Sequence, residues 1–260
     1  VDLPPNLTHL ILNEKFNQKV DLPPNLTHLI WYCNEKVDLS QNLTHLKWYC
    51  NEKVVLSSNL THLTFGKNFN QKVDLPSNLT HLKWYCNEKV DLPSNLTHIT
   101  FGPYFNQKVD LPPNLTHLIF GDNFNQEVNL PPNLTHLTFG HYFNQFVDLP
   151  SNLTHLTFVW NSNFNQEVNL PPNLTHLTFG EYFNQMVDLP WNLKYLCLKC
   201  KKTTMIDYLP DSLEELKLGY DFNNSLDNLP TSLKILKICN NYDKNRLNNL
   251  PKNVNVIYYT

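Results

Sequence analysis

Apolar residues return along this chain on a short and nearly fixed period. Aligned on the first leucine of an N-L-T-H-L core, fourteen copies begin at Leu7, Leu26, Leu43, Leu60, Leu79, Leu96, Leu115, Leu134, Leu153, Leu174, Leu193, Leu213, Leu233 and Val254. Spacings are mostly 17 or 19 residues and rise to 20 or 21 toward the C-terminus. With that leucine as position 1, position 4 is Leu or Ile throughout, from Leu10 to Ile257. Position 6 is always large: Phe in six copies, Trp at Trp31, Trp48 and Trp84, and otherwise Leu, Ile or Tyr259. Positions 3 and 5 are mostly polar. Such alternation predicts a short half-buried strand with positions 4 and 6 inward and 3 and 5 outward.

After each strand comes a turn-like segment and then V-D-L-P, as in Val147-Asp148-Leu149-Pro150. Proline fixes φ and biases the preceding residue to an extended form, so the return path is extended or turn-rich. It is too short for a helix with two turns. A repeat of this size cannot bury its apolar face alone, so copies must stack, with their strands forming a parallel sheet. The expected fold is one β-rich solenoid over residues 1–260, with regular copies over 1–192 and divergent copies and a cap over 193–260.

Composition narrows the function. The chain has 260 residues, with 20 basic and 23 acidic side chains and a net charge of -3, which favours neither nucleic acid nor a membrane surface. No apolar run is long enough to span a bilayer, and no signal peptide is evident. The chain begins at Val1, partway through a copy, and is read as starting at a boundary within a longer protein.

Three sets of residues carry candidate chemistry, and all three follow the repeat. The ten N-L-T sequons would place acceptor asparagines about 4.8 Å apart, too close for ten glycans, so these residues are read as turn asparagines bonding neighbouring backbone. His9, His28, His45, His62, His81, His98, His117, His136, His155 and His176 occupy position 3 of ten consecutive copies. They should form an outward ladder whose close spacing couples their titration and keeps most of them neutral at pH 7. A metal-loading or pH-responsive surface is the sharper alternative to a general contact surface. No single Ser or Cys stands apart as a nucleophile, so the chain is read as not an enzyme. Cys33, Cys50, Cys86 and Cys200 share position 8, with Cys197 and Cys239 elsewhere; free thiols are expected, with no second pair to complete a zinc site near Cys197.

The spacing L-x-x-L-x-[aromatic or Leu]-x-x-N resembles a leucine-rich repeat, as in Leu26-Leu29-Trp31-Asn34 and Leu233-Leu236-Ile238-Asn241. The fuller pattern, complete from Phe105 through Gly121, resembles the FNIP repeat. The unit from Phe143 departs only at its end, where Val159 replaces Gly, and this chain has Val and no Pro where family versions often read F-N-x-P-I. The resemblance implies a leucine-rich-repeat-like right-handed coil with little helix, an origin in slime moulds or amoeba-infecting giant viruses, and a cytoplasmic setting, the host cytoplasm if viral. Some members carry an F-box ahead of the repeats and serve as substrate adaptors of a ubiquitin ligase, although these residues hold no F-box themselves.

The function expected is a protein-interaction scaffold without cofactor or metal. Its contact surface would be the ten position-3 histidines with position 5 beside them: Lys47, Thr64, Lys83, Thr100, Ile119, Thr138, Thr157 and Thr178. The partner is an unknown protein. End-to-end self-association through unpaired strand edges is the structural alternative.

Overall fold

A computed structural model describes residues 2–16, 18–33, 35–200, 204–247 and 249–260. They gather into two compact units, Val1–Asp122 and Asn123–Thr260. The division falls between two regular copies, not where the divergent copies begin. Asn34, part of the leucine-rich pattern, lies outside the described residues.

The first unit carries β1 (His9–Leu12), β2 (His28–Trp31), β3 (His45–Trp48), β4 (His62–Phe65), β5 (His81–Trp84), β6 (His98–Phe101) and β7 (His117–Ile119). Each pairs in parallel with the next, and the register sets His on His and apolar position 4 on its equivalent. The second unit carries β8 (His136–Phe139), β9 (His155–Phe158), β10 (His176–Phe179), β11 (Tyr195–Leu198), β12 (Glu215–Leu218), β13 (Ile235–Cys239) and β14 (Asn255–Tyr259), again parallel and in sequence order. Helix among the described residues is limited to short 3₁₀ turns at Thr204–Tyr208 and Lys244–Arg246.

The alternation read from the sequence holds in β2, β6, β8 and β9, where positions 4 and 6 are buried and positions 3 and 5 are partly open. Each strand is entered through a turn closed by the position 1 amide, as in Leu26 N–H to Pro23 O at 3.1 Å. The sequon asparagine then clamps its coil to the one before: Asn42 Nδ2 donates to Pro24 O at 2.8 Å, and Asn95 Nδ2 to Ser77 O at 2.9 Å. Those side chains bond backbone, as the turn reading required.

The core is built in two interchangeable ways. Most long coils place Phe at position 6 and a second Phe ring at position 10, as with Phe101 and Phe105, stacked at 4.1 Å. Coils followed by a 17-residue step have no Phe at position 10 and carry Trp at position 6 with Cys at position 8. Trp84 spans the missing width by lying against both Phe65 and Phe69, at 5.3 and 6.3 Å. Its indole N–H is satisfied by Glu88 O at 3.0 Å. Glycine at position 7 answers to a close approach: a Cβ on Gly102 would sit 2.6 Å from Tyr85 Cα.

Ring spacings record how the coils of each unit fan. In the second unit histidine rings on the sheet face lie 4.1 Å apart, the Phe139–Phe158 pair beneath them 5.7 Å, and the deeper Phe124–Phe143 pair 6.1 Å. In the first unit the face spacing is 4.1–4.2 Å, against 5.3 Å for Phe101–Phe120. Strands stack at about 4.8 Å, so side chains converge on the face and spread on the core side.

The last copy corrects the sequence reading. Val254 N–H closes its turn to Pro251 O as a position 1 residue should, but β14 then pairs one residue out of step, with Val256 opposite Leu236. A one-residue slip sends a strand's side chains to the other face. Ile257, expected inward, is therefore 38% exposed.

Candidate functional site: the histidine strip

The strip begins with threonine. In each of the ten N-L-T-H copies the Thr Oγ1 and the next residue's His Nδ1 are 2.9 Å apart. The same hydroxyl also reaches the threonine carbonyl of the coil before, as from Thr44 to Thr27 O at 3.2 Å and Thr80 to Thr61 O at 3.1 Å. A hydroxyl has one proton to give, and a carbonyl can only accept. Threonine therefore donates to the carbonyl and accepts from Nδ1–H. The network assigns the neutral imidazoles their proton on Nδ1 and leaves the lone pair on Nε2.

The strand register stacks these rings. From His9 to His117 in the first unit they lie 4.1–4.2 Å apart and within 11–14° of parallel. The second unit stacks His136, His155 and His176 in the same way. Burial, with the charges of other rings in the stack, holds His28, His45, His62 and His81 below the usual imidazole range; burial alone does so for His117. The stacked ladder expected from the sequence is present, and its rings are closer than strand spacing alone would set them.

In the N-L-T-H copies position 5 shares the face with one exception. Lys47, Lys83 and Ile119 are exposed, and Thr100, Thr138, Thr157 and Thr178 are partly so. Thr64, expected on the surface, is only 8% exposed. It pairs between Lys47 and Lys83, whose long aliphatic stems flank it. Along β3–β7 the face holds a groove of about 370 Å³ whose lining includes His62, His81, Lys83 and Ile119. A second, of about 340 Å³, runs over β1–β3 beside Ile11, Ile30 and Lys47.

In the second unit the strip changes character after three rings. Tyr195 follows His176 at 5.8 Å, and Glu215 then stands at position 3, paired with Lys237 at 2.6 Å. Cys197, at an outward strand position, is nevertheless buried, and Lys217 reaches over the Tyr259 ring at 5.1 Å. Burial pushes the Tyr259 hydroxyl up to about 12.

All six cysteines are buried free thiols, and burial pushes Cys86 up to about 12, which suppresses the nucleophilic thiolate. Parallel imidazoles aim their lone pairs side by side and not at a common centre. Among the described residues no three metal-ligating side chains are placed to share an ion.

The sequence alone missed threonine as the group that fixes the tautomer, although T-H recurs in every regular copy. It also missed the tyrosines of the short coils at position 7, where Tyr32 and Tyr49 stack at 4.5 Å.

A parallel, single-turn-per-strand coil with an apolar ladder inside and a polar strip outside defines a leucine-rich-repeat-like solenoid, a class typical of interaction proteins. The model of the FNIP Repeat family matches residues 1–33, 51–85, 107–140, 127–159, 146–182, 164–201 and 201–241. The chain belongs to that family. Among solved structures it is similar to CroV588 of the giant virus CroV, described as a novel circular LRR protein, with 36% identity and a TM-score of 0.76 over 98% of this chain and 46% of that one. It also shares its fold with YopM from Yersinia enterocolitica WA-314, at 24% identity and a TM-score of 0.68, over 99% of this chain and 60% of that one. The chain thus spans about half the length of the first of these. No curated protein matches it. No described helix is long and apolar enough to cross a membrane.

Proposed function

We propose that this chain is a non-enzymatic scaffold that binds a protein partner across the outward face of its strands. The observation that carries the reading is a constant frame bearing a variable strip. Histidine repeats unchanged at position 3, while position 5 runs Ile11, Ile30, Lys47, Thr64, Lys83, Thr100 and Ile119 along a grooved surface. A photo-crosslinking residue placed at Thr100 should capture one partner from host extract, and the same residue at Asp91 on the return path should not. Equal capture from both, or from neither, overturns the reading.

The finer role, substrate recognition for an F-box-type ubiquitin ligase, draws its support from the family resemblance. Co-precipitation of the full-length protein with the ligase's linker subunit tests it. A second reading, end-to-end association of repeat stacks, is favoured by the circular form named for CroV588. Light scattering on the purified chain separates monomer from assembly.

A further inference from the structure

We propose that the strip over β2–β5 is a proton-linked receptor for an extended acidic segment of the bound partner. This rests on the scaffold reading and adds the chemistry of what the face accepts. The first support is charge. No carboxylate occurs on β1–β7, and none lines either groove, although the whole chain has a net charge of -3. The acidic residues of these copies lie in the turns and return segments. What faces the rings is Lys47 and Lys83 at position 5, the neighbouring imidazoles, and the phenols of Tyr32, Tyr49 and Tyr85 one step further on.

The second support is the hydrogen-bond arrangement. His28, His45, His62 and His81 each engage threonine through Nδ1. Among the described residues nothing else hydrogen-bonds these four rings, and none of their Nε2 atoms is both buried and unpartnered. A proton taken up on Nε2 leaves the Nδ1–H bond to threonine intact, so the strip can gain charge without rearranging. Each charged ring then presents an N–H donor outward.

The third support is spacing. Two charged rings 4.1–4.2 Å apart repel each other even in water, so the bare strip resists loading. A carboxylate set against adjacent rings removes that resistance and accepts their hydrogen bonds, so anion and proton bind together. An acidic polypeptide fits better than a nucleic acid. The stacked rings hide the faces that bases would need, and two lysines are few for a phosphate backbone.

The test uses the intact chain, a labelled Glu/Ser peptide, its Gln/Ser analogue and an oligothymidine. Fluorescence anisotropy should show the acidic peptide binding at least about tenfold tighter near pH 6 than near pH 8, with the Gln/Ser peptide weak at both. Calorimetry in buffers of different ionisation heat should report proton uptake on binding. A His45→Phe/His81→Phe variant, which keeps flat rings in the stack, should lose the pH dependence, and Lys47→Glu should weaken binding at both pH values. Equal affinity for the two peptides, pH-independent binding, an unchanged double variant, or preference for the oligothymidine overturns the proposal. Crosslinking at Thr100 without acidic-peptide binding would retire this inference and leave the scaffold reading standing. Acidic-peptide binding with the natural partner crosslinking elsewhere would do the reverse.

Discussion

Replacing His62 with phenylalanine keeps a flat ring in the stack and removes one titrating charge. His62 sits 4.2 Å from His45 on one side and 4.2 Å from His81 on the other. At that distance two unit charges in water repel by about 1 kcal/mol for each charged neighbour. His45 and His81 should therefore titrate higher in the variant, and more so if the local dielectric is below that of water. The assay is NMR of the imidazole Cε1–Hε1 groups across the acid range, at low and at high salt. Screening should shrink the difference between wild type and variant at high salt. Phenylalanine preserves the burial that is the larger cause of the low imidazole values, so the substitution isolates charge from desolvation. Midpoints of His45 and His81 that stay put, with simple one-site curves in both proteins, would refute the coupled ladder.

Other outcomes follow from the same geometry. His28, His45, His62, His81 and His117 fall below the 6.5 of an open imidazole, so beneath that pH the unfolded chain binds more protons than the folded one. Stability should be at its plateau above pH 6.5 with respect to these groups and decline as pH falls through the lowered values, as read by denaturant midpoints. Gly102→Ala drives a Cβ against the Tyr85 backbone and should cost about 1–3 kcal/mol, seen as faster hydrogen exchange in β5 and β6. Asn95→Ala removes a clamp between coils and should cost about 1 kcal/mol by chemical denaturation. Cys86 should resist a thiol reagent until the chain is unfolded, because its thiol is buried and pushed up to about 12.

Much of the fold was legible because a strand's side-chain period is two and the repeat re-prints it in every copy. Leu29 and Trp31 announce themselves as inward by alternation alone, and His28 as outward. Thr64 was not legible, since its burial depends on lysines in neighbouring coils and not on its own position. Ile257 failed for a related reason: the turn before it keeps the repeat register while the strand pairing slips. The orientation of the imidazoles was hidden too. It follows from a proton count on Thr44 and its equivalents, and that count needs the carbonyl of the preceding coil to be in view.

The alternation of Trp/Cys coils with Phe/Phe coils bears on how such a chain finds its native alignment. Near-identical copies invite a coil to dock on the wrong neighbour, because N-L-T-H-L meets N-L-T-H-L equally well wherever it lands. The 17-residue steps break that degeneracy. Trp84 fits over the paired rings of Phe65 and Phe69, and a long coil slid into its place would bring two rings where one indole and a small thiol belong. The uneven coils act as a combination lock on an otherwise monotonous stack, and their order along the chain is the code.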